Sequence, residues 1–179
     1  MSTEIDEKRA TFALEVWKKT IDVQQHFNTI EMQIRNFAIT VLTATIGAAG
    51  VVFNQLQQSI REAAKAGQPA PPLNTIFLFG AGFSASDMII FAGMLAWVSF
   101  YFMDLWWYHR LLQGAVTHAQ HIENEIKNTQ HGDIMMLSNA IRDASHFKLF
   151  GIDMKSNRRI NIFYGVGALF QLLLIIFAF

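Results

Sequence analysis

Three apolar runs, at residues 34–53, 88–107 and 160–179, constrain this chain more than any other feature. A helix rises 1.5 Å per residue, so a run of about 20 residues crosses a hydrocarbon layer of roughly 30 Å. Backbone groups in hydrocarbon have no water to bond, and only helices and closed barrels satisfy them internally. None of the runs alternates as barrel strands do. The expected fold is all-α: an integral membrane helical bundle with three transmembrane helices and helical cytoplasmic extensions. A hydrophobic content of 52% and an aromatic content of 13% in 179 residues fit one membrane domain.

The expected division is a cytoplasmic helix over 1–33, a first span over 34–53, an external loop with an interfacial segment over 54–87, a second span over 88–107, a cytoplasmic helical region over 108–159 and a third span over 160–179. Residues 75–83, TIFLFGAGF, are apolar but too short to cross, and they follow the breaker QPAPPLN. This stretch is expected in the interface or capping the bundle. Ser84, Ser86 and Asp87 carry the oxygens that cap the start of the second span.

Orientation follows from the basic residues. Only Arg61 and Lys65 lie in the loop after the first span, against twelve Lys and Arg in the N-terminal segment and the stretch between the second and third spans. The N-terminus is therefore expected in the cytoplasm, with the C-terminus outside. WWYHR at 106–110 reads as an aromatic belt at the inner boundary. MSTEIDEKRA precedes no early apolar core with a cleavage site, so a cleaved signal peptide is not expected.

The first span carries more than apolar residues. Every third or fourth residue gives His26, Thr29, Gln33, Asn36, Thr40, Thr43, Gly47, Gly50 and Asn54, one polar or small stripe along the helix. Lipid tails disfavour such groups, so the stripe is expected to face protein or water. Two readings follow. Small residues let helices approach closely. Alternatively, copies of the span surround an axis, with Gln33, Asn36, Thr40, Thr43, Gly47, Gly50 and Asn54 as candidate pore-lining residues. Asn161, Tyr164, Ala168 and Gln171 give the third span a polar face too, and separate polar faces are hard to hide inside one small protomer. A homo-oligomer would supply partners. Asp87 and Asp104 flank the second span, and each is expected to be hydrated near a basic residue, with an ion-attracting ring of carboxylates as the alternative.

Helical periodicity extends beyond the bilayer. Val23, Phe27, Ile30 and Ile34 form an apolar row that continues as Phe37, Val41, Ala44, Ala48 and Val51, which predicts one unbroken helix from cytoplasm into membrane. Leu112, Ala115, Ala119, Ile122 and Ile126 form a matching row after the second span, QHGD at 130–133 ends that helix, and a shorter helix follows over about 134–147. No strand alternation is visible.

Charge is balanced at 14 basic and 14 acidic residues, which excludes recruitment of nucleic acid by a global field. The lack of cysteine excludes disulfides, thiolate metal sites and cysteine nucleophiles. His118, His121 and Glu125 share a helical face at ligand spacing, but the set is incomplete and no HExxH accompanies it. Arg142 and His146 lack the context of a nuclease pair. No phosphate loop, nucleophile elbow or carboxylate pair supplies catalytic roles. No enzyme, metal or cofactor is expected. A ligand with phosphate oxygens would meet Arg110, Lys127, Arg142, Lys148, Arg158 and Arg159, although arginines this close to a membrane also suit anionic lipid headgroups.

FNTIEMQIRNFAITVLTATIGAAG and MDLWWYHRLLQGAVTHAQHIENE give the chain an architecture that resembles the small bacterial transmembrane effectors of nucleotide-signalling anti-phage defence systems. The resemblance implies an oligomer in the inner membrane that disrupts it on infection, and a partner enzyme whose nucleotide or oligonucleotide product, or the signalling protein itself, is the trigger. No cyclic-nucleotide-binding, TIR or barrel sensor domain accompanies it. The function expected is therefore an oligomeric membrane effector, channel or pore. The alternative is a non-conducting scaffold that recruits a soluble partner through its cytoplasmic helices.

Overall fold

A computed structural model describes residues 2–69, 76–78, 81–127, 136–145, 148–149 and 152–177. Helices dominate: α1 (Ser2–Lys65), α2 (Ala85–Phe102), α3 (His109–Ile126), α4 (Leu137–Ser145) and α5 (Ser156–Phe177). Two minimal antiparallel hairpins join them, β1 (Ile76–Leu78) with β2 (Ala81–Phe83), and β3 (Lys148–Leu149) with β4 (Ile152–Asp153). The hairpins leave the fold helical overall, as expected. Their strands have two or three residues, too few for alternation to register in a sequence. Three helices are long and apolar enough to cross a membrane: α1, the continuous helix of α2 and α3, and α5.

The predicted unbroken first helix is present and longer than expected. Its 64 residues correspond to about 96 Å, far beyond the hydrocarbon thickness. Residues 54–65, expected as loop, continue it, because NQLQQSIREAAK contains neither glycine nor proline. Gly67 then stops it with φ of 65°. The Gln68 N–H donates to the Ala63 carbonyl at 2.9 Å and the Gly67 N–H to the Ala64 carbonyl at 3.3 Å, a Schellman ending. At the start of α2, Ser84 and Asp87 form a capping box. The Asp87 N–H donates to Ser84 Oγ at 3.2 Å, and the Ser84 N–H donates to Asp87 Oδ2 at 2.8 Å. Ser86, expected to share the capping, is buried instead.

Between α2 and α3 the helix widens into a π-helical turn, Met103–Tyr108, closed by the His109 N–H on the Asp104 carbonyl. The turn resets the buried face. Along α2 the buried residues Ser86, Ile90, Gly93 and Trp97 follow steps of three and four, and Asp104 lies seven residues beyond Trp97. The next buried residue is His109, a step of five. In an α-helix that step turns His109 about 140° away from Asp104, whereas a wider π turn keeps both on one side.

The chain divides into two compact units. One comprises residues 35–101 and 161–179. Its buried side chains are Ala38 and Ala49 of α1, Ser86, Ile90 and Trp97 of α2, and Tyr164 and Gln171 of α5. Trp97 Nε1 donates to the Tyr164 carbonyl at 2.8 Å, and the Tyr101 hydroxyl donates to Asn161 Oδ1 at 3.1 Å. Two glycines permit the packing. A Cβ on Gly93 would collide with the Thr45 side chain, and one on Gly167 with the Trp97 ring. Of the polar face of the third span, Tyr164 and Gln171 are buried within the chain and Asn161 is exposed, so part of it is covered without a second copy. The rings of Trp97 and Tyr101 lie 5.2 and 5.3 Å from that of Tyr164, and Gln171 Nε2 donates to the Gly167 carbonyl of its own helix.

The other unit comprises residues 1–34 and 102–160. Its buried set is mainly polar: Thr20, Glu31, Asp104, His109, Glu123, Ser138 and Asn139, with the apolar Ile34, Ala119, Met154 and Ile160. Asp104, expected in water, is fully buried.

Candidate functional site

Two regions carry the features from which a function can be built, one in each unit. The first is the exposed face of α1. At about 100° per residue, positions two apart lie roughly 160° apart around a helix. Ala38 and Ala49 are fully buried, and Asn36, Thr40 and Gly47, each two positions from one of them, are exposed. Thr43 and Asn54 are exposed as well, and Gly50 is half-buried. Gln33, in the other unit, is also exposed. Nothing lies within 4 Å of a Cβ placed on Gly47 or Gly50. Among the described residues, the glycines that admit close helix packing are thus Gly93 and Gly167, and the stripe glycines face open space.

The hydroxyls on this face are locally satisfied. Thr40 Oγ1 donates to the Asn36 carbonyl and Thr43 Oγ1 to the Ile39 carbonyl, each at 2.9 Å. A threonine bonded in this way meets lipid at little cost. An exposed asparagine amide has two donors and an acceptor, more than its own helix accommodates. Asn36 is therefore the member of the stripe within the span that most requires water or another chain.

The second region is the polar interior of the unit formed by residues 1–34 and 102–160. Glu123 of α3 draws three elements together. Its Oε1 accepts from Trp17 Nε1 at 3.1 Å and from the Ser138 N–H at 2.7 Å, while Oε2 accepts from the Asn139 N–H and Nδ2, each at 2.9 Å. The carboxylate caps the first turn of α4, where amide hydrogens lack helical partners. The apolar run ends at Trp107, so Glu123 lies well past the span. Burial pushes its carboxyl up, but the bonds from Ser138, Asn139 and Trp17 outweigh that effect and hold it below the usual value.

A second chain of bonds begins at Glu31. Its Oε1 meets His109 Nδ1 at 3.0 Å, the Gln113 amide nitrogen lies 3.0 Å from His109 Nε2, and the same nitrogen donates to Asn157 Oδ1 at 3.1 Å. With Gln113 donating to Nε2, the ring proton sits on Nδ1 and is donated to Glu31. Glu31 and His109 are both buried. Neither Glu123 nor this chain was apparent in the sequence. The signal for His109 was obscured by the π turn, and Glu123 resembled any exposed helical glutamate.

The described basic residues expected to hold a phosphate ligand have separate local surroundings. Arg158 Nη1 donates to the Asp153 carbonyl at 2.7 Å, and Arg159 donates to the carbonyls of Met154 and Ser145. Arg142 Nε bonds Asp143 Oδ1 at 3.0 Å on the surface. Arg110 lies over the Trp106 ring, 5.2 Å from its centre. Lys127 is exposed, and the Lys148 side chain lies outside the described residues. His118, His121 and Glu125 are all exposed on α3, and among the described residues no three potential metal ligands gather. His146 is outside the described residues. No family model, curated protein or solved structure matches the chain.

Proposed function

We propose that the protein is an oligomeric membrane effector that forms an ion channel or pore in the cell inner membrane, with α1 beside the axis. Its N-terminus lies in the cytoplasm and its C-terminus outside. The observation that carries this reading is the outward stripe. The protomer packs α1 through Ala38 and Ala49 and leaves Asn36, Thr40, Thr43 and Gly47 uncovered. A ring of copies turns those residues towards one another and hydrates the exposed amides.

The helices of residues 108–159 act as gate or sensor. The input suggested by the resemblance to anti-phage effectors is a nucleotide-type signal or a signalling protein. Arg110, Lys127 and Arg142 are the exposed cations best placed to meet it, because Arg158 and Arg159 already hold backbone carbonyls.

One observation favours the alternative of a non-conducting scaffold. Thr40 and Thr43 satisfy their hydroxyls on their own helix, so most of the stripe tolerates lipid without a pore. Ion flux from liposomes separates the readings. The channel predicts flux that falls at least tenfold in Asn36→Leu/Thr40→Leu while the oligomer persists. Absence of flux under every nucleotide or partner condition supports the scaffold.

A further inference from the structure

The stripe on α1 does not stop where the apolar run ends. Four residues beyond Asn54 comes Gln58, followed by Arg61 and Lys65 at steps of three and four, and all of them are exposed. At about 100° per residue, Arg61 and Lys65 fall within about 20° of the centre line through Asn36, Thr40, Thr43, Gly47, Gly50 and Asn54. The opposite face keeps its phase as well, since Leu56, Ile60 and Ala63, on the side of Ala38 and Ala49, are half-buried. The helix is uninterrupted over this distance and lies within one compact unit, so the stripe and its basic end share a single face.

Charge near this end is balanced in number and unbalanced in place. From Asn36 to Lys65 the charged residues are Arg61, Glu62 and Lys65; the next is Asp87, and none occurs from Asn161 to Phe179. Glu62 is turned about 80° from the centre line of the stripe. Asp87 is committed to the start of α2, where Oδ2 accepts from the Ser84 N–H and hydroxyl, each at 2.8 Å. The stripe is thus uncharged from Asn36 to Gln58 and ends in two cations. Towards the start of the same helix, Lys18 and Asp22 offer one charge of each sign, which favours neither kind of ion.

We infer that Arg61 and Lys65 form the mouth of the pore and make it select small monovalent anions, such as chloride, over cations. The inference rests on the reading of α1 beside the axis and adds the class of ion. Copies around one axis each contribute two cations to a common ring, while the carboxylates lie aside. Such a ring concentrates anions and repels cations at the entrance, and the amides and hydroxyls of the stripe hydrate an ion of either sign. The mouth stands in water, because residues 54–65 carry α1 about 18 Å past the apolar run. Its field therefore reaches about a Debye length, roughly 8 Å at physiological salt, and weakens as salt rises.

Reversal potentials of the full chain in planar bilayers under a potassium chloride gradient test this. The wild type should pass chloride at least about threefold more readily than potassium at low salt, with the preference shrinking at high salt. Arg61→Glu/Lys65→Glu should invert the preference, and Glu62→Gln, off the stripe, should leave it within about twofold of wild type. The chain has no cysteine, so Arg61→Cys labelled after assembly with a negatively charged thiol reagent reverses one charge in a protein already folded, and the preference should fall on labelling. Cation preference in the wild type, or anion preference unchanged by the double substitution and by labelling, would overturn the inference and leave the pore standing. No current at any voltage or nucleotide condition removes the pore and this mouth with it.

Discussion

The carboxylate of Glu123 shows how much of this fold depends on single buried polar groups. Four donors converge on it, from Trp17 of α1 and from Ser138 and Asn139 of α4. Replacing it with glutamine keeps the shape but loses the charge and leaves one of its acceptors as a donor facing donors. At neutral pH, Glu123→Gln is expected to lower stability by about 1–3 kcal/mol, the range for a disrupted buried hydrogen-bond site. The pH dependence has a definite sign. The folded carboxyl titrates below its ordinary value of 4.5, so folding favours the ionised form. Its contribution is complete above the unfolded value and is lost as pH falls through the folded one. Thermal melts in detergent followed by circular dichroism should therefore show the gap between wild type and Glu123→Gln narrowing as pH is lowered from about 6 to below the folded value. A gap independent of pH would contradict this role.

At the scale of elements, the π turn Met103–Tyr108 sets the register of everything that follows on that helix. It behaves as one residue more than an α-helix needs, and it brings His109 to the side that meets Glu31. Deleting Leu105 removes that extra residue and should preserve the buried faces on both sides. Deleting Val98, inside regular α2, rotates all subsequent residues by about 100°. The Leu105 deletion is expected to retain most of the wild-type melting temperature and the Val98 deletion to lose cooperative melting; equal damage from the two would refute the register argument. The π turn also marks the limit of sequence reading. The three spans, the continuous α1 and the helix after residue 108 follow from apolar length and from steps of three and four. The polar core does not, because a sequence period assumes one helical pitch and a buried Glu123 or Asp104 is chemically identical to a solvated one. The helical extension to Lys65 was missed because polar residues obscure a helix once it leaves the apolar span. Span three misled for the opposite reason, since Tyr164 and Gln171 are buried within the chain, Tyr164 against the Trp97 ring.

For the whole molecule, the face of α1 that packs within the chain and the face that remains open are chemically distinct. The first contains Ala38 and Ala49; the second contains Asn36, Thr40, Thr43 and Gly47. The stripe was legible in the sequence, but its exposure was not, because burial depends on which helices lie alongside. Its assignment to sister copies and water, rather than lipid, is the central claim. Spin labels at Thr40→Cys and Thr43→Cys in reconstituted bilayers test it most directly, since the native chain has no cysteine. A stripe turned towards sister copies and water gives dipolar broadening between copies and stronger collision with a water-soluble nickel reagent than with oxygen dissolved in the lipid. Sharp, unbroadened spectra dominated by oxygen collisions would place the stripe against acyl chains and contradict it.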